Sequence, residues 1–298
     1  MSRLTLRVFQ PGDETVIHEL VSKAFSGLEY LPGVSRLTSS SEFDPLGFFF
    51  AEEDGLAKGC VGVFNLHRPK WLEIKYLAAA NSSSRMAIGE KLARRAVQYA
   101  KSRAPDFLMA STLAVQPYVN IYKSLGFHPV RRILRITWDL PTSPTPREGS
   151  IETREVSEAE KDEAVQLFVS ASQPYWEWWI EEKGGRAGVV HYLKDRMEEK
   201  RWICAIVDGK MVGLMRVSPD NYAPQEAGFW GVYVLPEFRE RGIGSALMSD
   251  ALTRARQLGQ RKLVVFTVAA LDSLLPGVLL YLKNGGKIEA EYLHLVMS

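Results

Sequence analysis

A turn rich in glycine and arginine follows an apolar stretch in the last third of the chain. Glycines allow a backbone to approach a bulky anion closely, and the first turn of a helix presents unpaired N–H groups to phosphate. Because two arginines in the turn add positive charge, the pattern predicts a site for a pyrophosphate group. We expect this site to be formed by Arg239, Glu240, Arg241, Gly242, Ile243, Gly244 and Ser245.

Two common phosphate-binding patterns do not fit this turn. The chain contains no GxxxxGK[ST] sequence, and Leu247 stands where a dinucleotide fingerprint needs its third small residue. An ordinary strand–turn–helix, with glycines present for geometry alone, is the alternative interpretation of the turn.

The segments around the turn alternate between strand and helix patterns. An Asp-Gly pair at 208–209 separates two apolar runs, which is typical of a β-hairpin. The hydrophobic periodicity then predicts an α/β fold with a mixed sheet. Its later part consists of a strand over 228–234, a helix over 244–258, a strand over 262–269, a helix over 274–284 and a strand over 287–297.

The sequence also contains an internal repeat, which is the first feature to establish in a chain of this length. Residues 141–150 hold three prolines and no large apolar residue, so we expect an exposed linker there. We therefore predict two similarly built domains, at 1–140 and 151–298. The matching pairs are Leu4–Arg7 with Ile151–Arg154, Asp54-Gly55 with Asp208-Gly209, Ile88-Gly89 with Ile243-Gly244, and Tyr122 with Tyr281.

The composition is that of an ordinary globular protein. The 298 residues are 46% hydrophobic and 24% charged with a net charge of +2, which excludes a disordered chain and gives no indication of nucleic-acid binding. Two cysteines and scattered histidines predict neither a disulfide scaffold nor a metal site. The N-terminus lacks the apolar core of a signal peptide, and the apolar stretch 263–282 divides into strand and helix patterns. We therefore expect a cytoplasmic protein without a membrane partner.

The strand, the Arg-x-x-Gly-x-Gly turn at 239–244 and the Leu-Tyr-x-x-x-Gly sequence at 280–285 occur in the order found in the GNAT acyltransferase superfamily. The chain resembles this superfamily over its whole length as a tandem pair, and its layout is similar to that of mycothiol synthases. The resemblance implies that each domain has a mixed, mostly antiparallel splayed sheet flanked by helices. It also implies that acetyl-CoA enters between the splayed strands, with its pyrophosphate on the amides of 239–245 and its thioester beside Val232 and Val234.

The same resemblance implies direct attack of a small-molecule primary amine on the thioester. This reaction needs an N–H facing the oxyanion, an acid for the thiolate and a base for the ammonium group. By resemblance, the N–H of Val234 or Leu235 faces the oxyanion, and the motif tyrosine Tyr281 is the general acid. Glu226 is the candidate base, with a solvated strand-end carboxylate as the alternative. Gly286 departs from the family, which usually has an aromatic residue there.

The equivalent turn in the N-terminal half is altered. Ser84 aligns with Arg239, and Ala87 aligns with Gly242, which adds a Cβ where the backbone should approach phosphate. Tyr122 keeps the motif position. We therefore expect a catalytically silent N-terminal domain, or one that binds CoA weakly, and an active C-terminal domain.

Aromatic residues concentrate where the resemblance places the acceptor. Five of the seven tryptophans lie in the C-terminal half, and glutamates are interleaved with three of them. Aromatic faces and carboxylates suit a cationic amine, so we predict a substrate site formed by Tyr175, Trp176, Trp179 and Trp230. Core or interface packing is the alternative for these residues. For the whole chain, a non-catalytic acyl-CoA-binding or scaffold protein is the second hypothesis, and the oligomeric state stays open, with a homodimer as one option.

Overall fold

The computed structural model describes residues 4–25, 37–80, 85–140, 151–172, 176–197 and 201–297. The linker predicted at 141–150 lies outside these ranges. The strands in the described ranges are β1 Thr5–Val8, β2 Phe43–Glu53, β3 Leu56–Asn65, β4 Trp71–Ala79, β5 Phe107–Leu113, β6 Phe127–Asp139, β7 Glu152–Glu155, β8 Trp202–Val207, β9 Lys210–Ala223, β10 Glu226–Val234, β11 Lys262–Ala269 and β12 Lys287–Met297. The helices there are α1 Glu14–Ala24, α2 Arg85–Ser102, α3 Gln116–Ser124, α4 Lys161–Ser172, α5 Glu177–Glu182, α6 Gly185–Met197, α7 Ile243–Gln257 and α8 Pro276–Lys283.

The chain divides into two compact units. The first consists of Met1–Ile133, Ala270–Asp272 and Ala290–Ser298, and the second of Leu134–Ala269 and Ser273–Glu289. The strand order is β1-β2-β3-β4-β5-β12 in the first unit and β6-β11-β10-β9-β8-β7 in the second. Strand β4 pairs with β5 in parallel, as β10 does with β11, while the neighbouring pairs are antiparallel. The predicted α/β architecture, with mixed strand pairing and flanking helices in each unit, is confirmed.

An arginine of the first strand forms an equivalent ion pair with the following segment in each unit, which agrees with the internal repeat. Arg7 donates two hydrogen bonds to Asp13, at 2.6 and 2.9 Å. Arg154 donates two to Glu160, at 2.8 and 2.6 Å. Each forked guanidinium–carboxylate contact fixes the direction in which the first helix leaves its strand.

The last strand of each sequence half lies in the unit that is built mainly from the other half. Residues after Ile133 in β6 belong to the second unit, and residues from Ala290 onward in β12 belong to the first. The units therefore differ from the domains predicted at 1–140 and 151–298. Burial explains the exchange, because Leu134, Ile136 and Trp138 pack in the hydrophobic core of the second unit, while Tyr292–Val296 pair with β5 in the first.

Two hydrophobic clusters cover the two faces of the second unit's sheet. Val232 and Val234 of β10 pack in the cluster that contains α7 and α8. Trp230 and Tyr233 pack in the other cluster, with α4 and α6. Strand β10 thus has both faces covered by helices. In the described ranges, no helix is both long and apolar enough to cross a membrane.

Candidate active site

Strands β10 and β11 separate after a short paired stretch. They pair in parallel only at Glu226–Gly228 with Lys262–Val264, although β10 continues to Val234 and β11 to Ala269. Beyond Gly228, the backbone groups on this edge of β10 are therefore not paired with β11. The splay implied by the resemblance is present, and it opens one edge of a central strand.

A β-bulge interrupts β10 within this open stretch. Trp230 lies opposite Arg216 and Tyr233 lies opposite Leu214, so two residues of β10 face a single residue of β9. One of the two is Gly231, with a φ of 121°, and a Cβ there would lie 2.9 Å from Cβ of Met215. Only glycine fits this position, because both the backbone conformation and the space exclude a side chain.

The alternation of hydrogen bonds after the bulge decides between the two predicted oxyanion donors. The N–H of Leu235 donates to the carbonyl of Val212 at 3.0 Å, so Leu235 belongs to the ladder with β9 and its prediction as a donor is wrong. In an antiparallel pair, the neighbouring residue points the other way. The N–H of Val234 therefore faces the open edge, and Val234 stays the predicted donor.

Tyr281 of α8 reaches the open edge at the bulge. Its hydroxyl accepts a hydrogen bond of 2.9 Å from the N–H of Val232 and donates one to the carbonyl of Gly231. Burial of the ring raises the pKa of Tyr281, although the bond from Val232 lowers it in part. The phenol therefore stays protonated in the neutral pH range, as a proton donor must.

The glycine-rich turn ends in a helix start with unpaired amides. Glu240 and Gly242 have φ values of 64° and 80°, and the first helical hydrogen bond runs from Ala246 N–H to Gly242 O at 3.0 Å. The amides of Ile243 and Gly244 therefore have no partner within α7, and they lie at the positive end of its dipole. This arrangement fits the pyrophosphate predicted from the sequence.

The two glycines of the turn are needed for different reasons. Gly242 is exposed, and its left-handed φ favours glycine whatever lies nearby. Gly244 instead packs against α8, since a Cβ there would lie 2.8 Å from Cδ2 of Leu280. The close approach of α8 is thus a second reason for a glycine at this position, beside the close approach of an anion expected from the sequence.

The arginines of the turn also have different positions. Arg239 donates from Nε to the carbonyl of Val234 and from Nη2 to the carbonyl of Ala171, both at 3.1 Å. It thereby connects the end of β10 to the end of α4. Arg241 is exposed, with its guanidinium 5.2 Å from the centre of the Phe238 ring. Ser245, in the first turn of α7, accepts a hydrogen bond from the Asn284 amide at 3.3 Å.

Glu226 lies at the opposite end of β10 from the turn. It precedes Gly231 by five residues, which is about 16 Å along a strand, and its carboxylate accepts a 2.8 Å hydrogen bond from the buried Arg135. Arg135 also contacts Glu289. The position of Glu226 and its ion pair therefore do not support the prediction of this residue as the base. The alternative interpretation was a solvated carboxylate at the end of a strand. The Glu226 carboxylate is at the end of a strand, but it forms an ion pair with Arg135.

Three of the four predicted acceptor residues lie together on one face of β10. The Trp179 ring is 6.1 Å from Trp230 and 6.5 Å from Trp176, nearly perpendicular to both. Tyr175 lies outside the described residues. Tyr192 of α6, which the sequence did not indicate, stacks on Trp230 at 5.9 Å. We call Trp179, Tyr192 and Trp230 the aromatic cluster.

A lysine of the chain itself rests on the aromatic cluster. The Lys183 ammonium lies 5.8 Å from the centre of the Trp179 ring and 5.2 Å from that of Tyr192. It also forms a 3.1 Å ion pair with Glu182, and the two side chains are only 9% and 12% exposed. The aromatic faces are therefore arranged so that a primary ammonium group fits against them. No local sequence pattern indicates this contact, since Lys183 follows two glutamates and resembles a solvated charge.

The first unit has the same splay and bulge but a different turn. Strand β4 pairs with β5 only at Trp71–Ile74, and Tyr76, with a φ of 58°, takes the place of Gly231 in the bulge. Ile88 aligns with Ile243, the first residue of α7. Helix α2, however, already includes Arg85, three residues before Ile88. Ser84 lies outside the described residues. Ala87 is thus helical where the second unit has the left-handed Gly242.

Comparisons with known proteins agree with this architecture. Residues 15–127 and 154–276 each match the acetyltransferase (GNAT) family. A stretch of 112 residues, 36% of the chain, is 29% identical to an uncharacterized N-acetyltransferase of Methanocaldococcus jannaschii and spans about half (49%) of that protein's length.

Two solved structures resemble the chain over nearly its full length. A GCN5-related N-acetyltransferase from Sphaerobacter thermophilus has a TM-score of 0.77 at 18% identity, covering 98% of this chain and 95% of that one. A tandem GNAT protein from the clavulanic acid biosynthesis pathway has a TM-score of 0.68 at 14% identity, covering 99% and 98%. At these identities, the similarity concerns the fold and its tandem layout.

Proposed function

Because the chain belongs to the acetyltransferase (GNAT) family, we propose that it transfers the acetyl group of acetyl-CoA to the primary amine of a small molecule, with the chemistry in the second unit. The observation that carries this proposal is the Tyr281 hydroxyl, which lies on the open edge of β10 beside the Val232 N–H. A protonated phenol there adjoins the gap in which the thioester would lie.

The donor side of the site is formed by backbone groups. Acetyl-CoA, when bound, supplies a thioester carbonyl that an amine can attack. The N–H of Val234 faces the open edge and would stabilise the negative charge that develops on the carbonyl oxygen. The amides of Ile243 and Gly244, at the start of α7, would bind the pyrophosphate, and the exposed Arg241 would add a positive charge.

Tyr281 would act as the general acid. As the new C–N bond forms and the C–S bond breaks, the sulfur gains negative charge, and the phenol donates its proton to that sulfur. Tyr281 is then reprotonated from water. The ammonium group must also lose one proton before it attacks and a second proton as the amide forms, and we assign both to water because Glu226 is held by Arg135 at the far end of β10.

The aromatic cluster would bind the acceptor. Its Trp179 and Tyr192 rings already carry the Lys183 ammonium, which supports a cationic primary amine as the substrate class. Trp230 immediately precedes the bulge where Tyr281 is held, so an amine on this face of β10 would be next to the reacting carbonyl.

Two tyrosine-to-phenylalanine substitutions, one in each unit, test the proposal. Removing the Tyr281 hydroxyl should lower kcat by about 10²- to 10⁴-fold, with acetyl-CoA affinity within about threefold, because the ring and the turn are unchanged. The matched control is Tyr122→Phe, the equivalent substitution in the first unit, which should leave kcat near the wild-type value. Release of CoA thiol over a panel of primary amines is the assay. Wild-type kcat in Tyr281→Phe, or its loss in Tyr122→Phe, would overturn the assignment.

The second candidate is an acyl-CoA-binding protein without catalysis. It is favoured by the fact that the Tyr281 hydroxyl uses both its donor and its acceptor capacity on its own neighbouring strand. In that case, acetyl-CoA binds to the chain, but no amine of the panel releases CoA thiol.

A further inference from the structure

Trp138 of β6 packs directly against Tyr281. The two ring centres are 5.9 Å apart at 83°, and the Phe229 ring lies 5.5 Å from Trp138 and 5.3 Å from Tyr281. The indole N–H donates to the carbonyl of Asn284, just past the end of α8, at 3.0 Å. Trp138 is only 4% exposed. It therefore holds both the tyrosine ring and the end of the helix that carries it.

Gly286 provides the space for this tryptophan. A Cβ at Gly286 would lie 2.7 Å from Cζ2 of Trp138 and 2.8 Å from Cγ2 of Ile136. Its φ is not among the positive values of the chain, so backbone conformation does not require a glycine there. Gly286 is the position where the family pattern has an aromatic residue, and the indole of Trp138 occupies the place that such a side chain would need.

The first unit has an aromatic residue at the position equivalent to Gly286. Phe127 follows Tyr122 by five residues, as Gly286 follows Tyr281. The Phe127 ring lies 5.5 Å from Tyr122 at 72°, close to the distance and angle of Trp138 against Tyr281. Both motif tyrosines thus have an aromatic ring packed edge to face, but the ring comes from a different strand in the second unit.

We propose that Trp138 is a positioning residue for Tyr281, which replaces the missing aromatic residue at Gly286 and keeps the phenol dry and aligned with the edge of β10. The inference rests on the proposed role of Tyr281 as the general acid. It also gives β6, which belongs to the first sequence repeat, a part in the site of the second unit.

The physical effect of Trp138 is on both geometry and protonation. Removing the indole leaves a cavity beside the phenol, and side chains next to a cavity lose their fixed position. Water that enters would weaken the desolvation that raises the pKa of Tyr281. We therefore expect Trp138→Ala to lower kcat at least tenfold, with the KM for acetyl-CoA within about threefold, and to shift the ionisation of Tyr281 toward its ordinary pH range.

A double substitution distinguishes positioning from general destabilisation. Gly286→Phe alone should lower the melting temperature, because the new ring meets Trp138. Trp138→Ala alone should lower it as well. Trp138→Ala combined with Gly286→Phe copies the arrangement of the first unit, and it should recover more than half of both the melting temperature and kcat lost in Trp138→Ala. Losses that merely add in the double variant would overturn the proposal.

The ionisation of Tyr281 provides a readout that does not depend on turnover. It is measured as the difference in tyrosinate absorbance between each protein and its Tyr281→Phe derivative. Trp138→Ala should move this titration to lower pH, whereas Trp202→Ala, which removes another buried tryptophan of the second unit, should not. An unmoved titration in a folded Trp138→Ala protein would refute the positioning role. If the wild type acetylates no amine, the proposed function fails, while the titration and the double variant still decide the role of Trp138.

Discussion

Alanine substitutions at Arg239 and Arg241 should affect different properties of the protein. The sequence assigns both arginines to pyrophosphate, whereas the structure shows Arg239 donating to two backbone carbonyls inside the second unit. We therefore expect Arg239→Ala to lower stability, and Arg241→Ala to lower acetyl-CoA affinity. The pair is a matched test, because the two residues are the same type and only two positions apart.

The magnitude for Arg239 follows from its hydrogen bonds. A hydrogen bond from a charged group contributes about 1.5 kcal/mol or more, so two of them contribute about 3 kcal/mol. The carbonyls of Ala171 and Val234 also lose their donor. For a chain of this size, a loss of that amount lowers the melting temperature by roughly 6–12 °C.

The expected effect for Arg241 is on binding. Its guanidinium is exposed and contacts only the face of Phe238 among the interactions described for it. Removing it should change stability by less than about 0.5 kcal/mol. One exposed positive charge beside a phosphate contributes about 1 kcal/mol, which is roughly fivefold in the dissociation constant.

Thermal unfolding and calorimetric titration with acetyl-CoA measure the two effects. Arg239→Lys adds a further check, since a lysine keeps the charge but cannot bridge the carbonyls of Val234 and Ala171. It should be nearly as destabilising as Arg239→Ala. A stable Arg239→Ala protein that binds acetyl-CoA poorly, with binding restored by lysine, would refute the reasoning and return Arg239 to the pyrophosphate site.

Two further predictions concern other charged groups. Lys183→Met removes the ammonium from the aromatic cluster and leaves the Glu182 carboxylate without its ion pair. The KM for a primary amine should therefore fall about fivefold, because the substrate's ammonium can take the same place. An unchanged or higher KM in steady-state assays would contradict this role. Burial, partly offset by Glu73, lowers the pKa of His294 from its ordinary value of about 6.5 to about 4. The unfolded chain therefore binds a proton near pH 6.5, whereas the folded protein binds it only near pH 4. The free energy of unfolding should consequently decrease by up to about 3 kcal/mol as the pH falls from 6.5 to 4. Urea unfolding at several pH values checks this, and His294→Gln should give a flatter profile in that window.

The local elements were predictable because their signals lie close together in the sequence. The Asp208-Gly209 turn has positive φ values at both residues, as a tight hairpin requires. The helix predicted over 244–258 is α7, at Ile243–Gln257. Tyr281 is on the predicted helix over 274–284, and the resemblance to the GNAT superfamily identified it as the motif tyrosine.

Partners that are distant in sequence were not predictable. Periodicity identifies β6 and β12 as strands, but it does not say which sheet each one joins, so the exchange between the units was missed. Glu226 is paired with Arg135, which lies 91 residues earlier, and no local pattern indicates this. The reason for Gly286 is likewise invisible in the sequence, because the ring that needs its space belongs to Trp138 on another strand.

Calorimetric titration of acetyl-CoA into the wild type and two glycine variants tests most directly that the second unit holds the working donor site. Gly242→Trp blocks the turn, while Gly259→Trp places the same side chain at a left-handed glycine at the other end of α7, with no atom within 4 Å of its Cβ. We expect one site per chain in the wild type, its loss in Gly242→Trp and its retention in Gly259→Trp. Two sites in the wild type, or undiminished binding in a folded Gly242→Trp protein, would contradict the account.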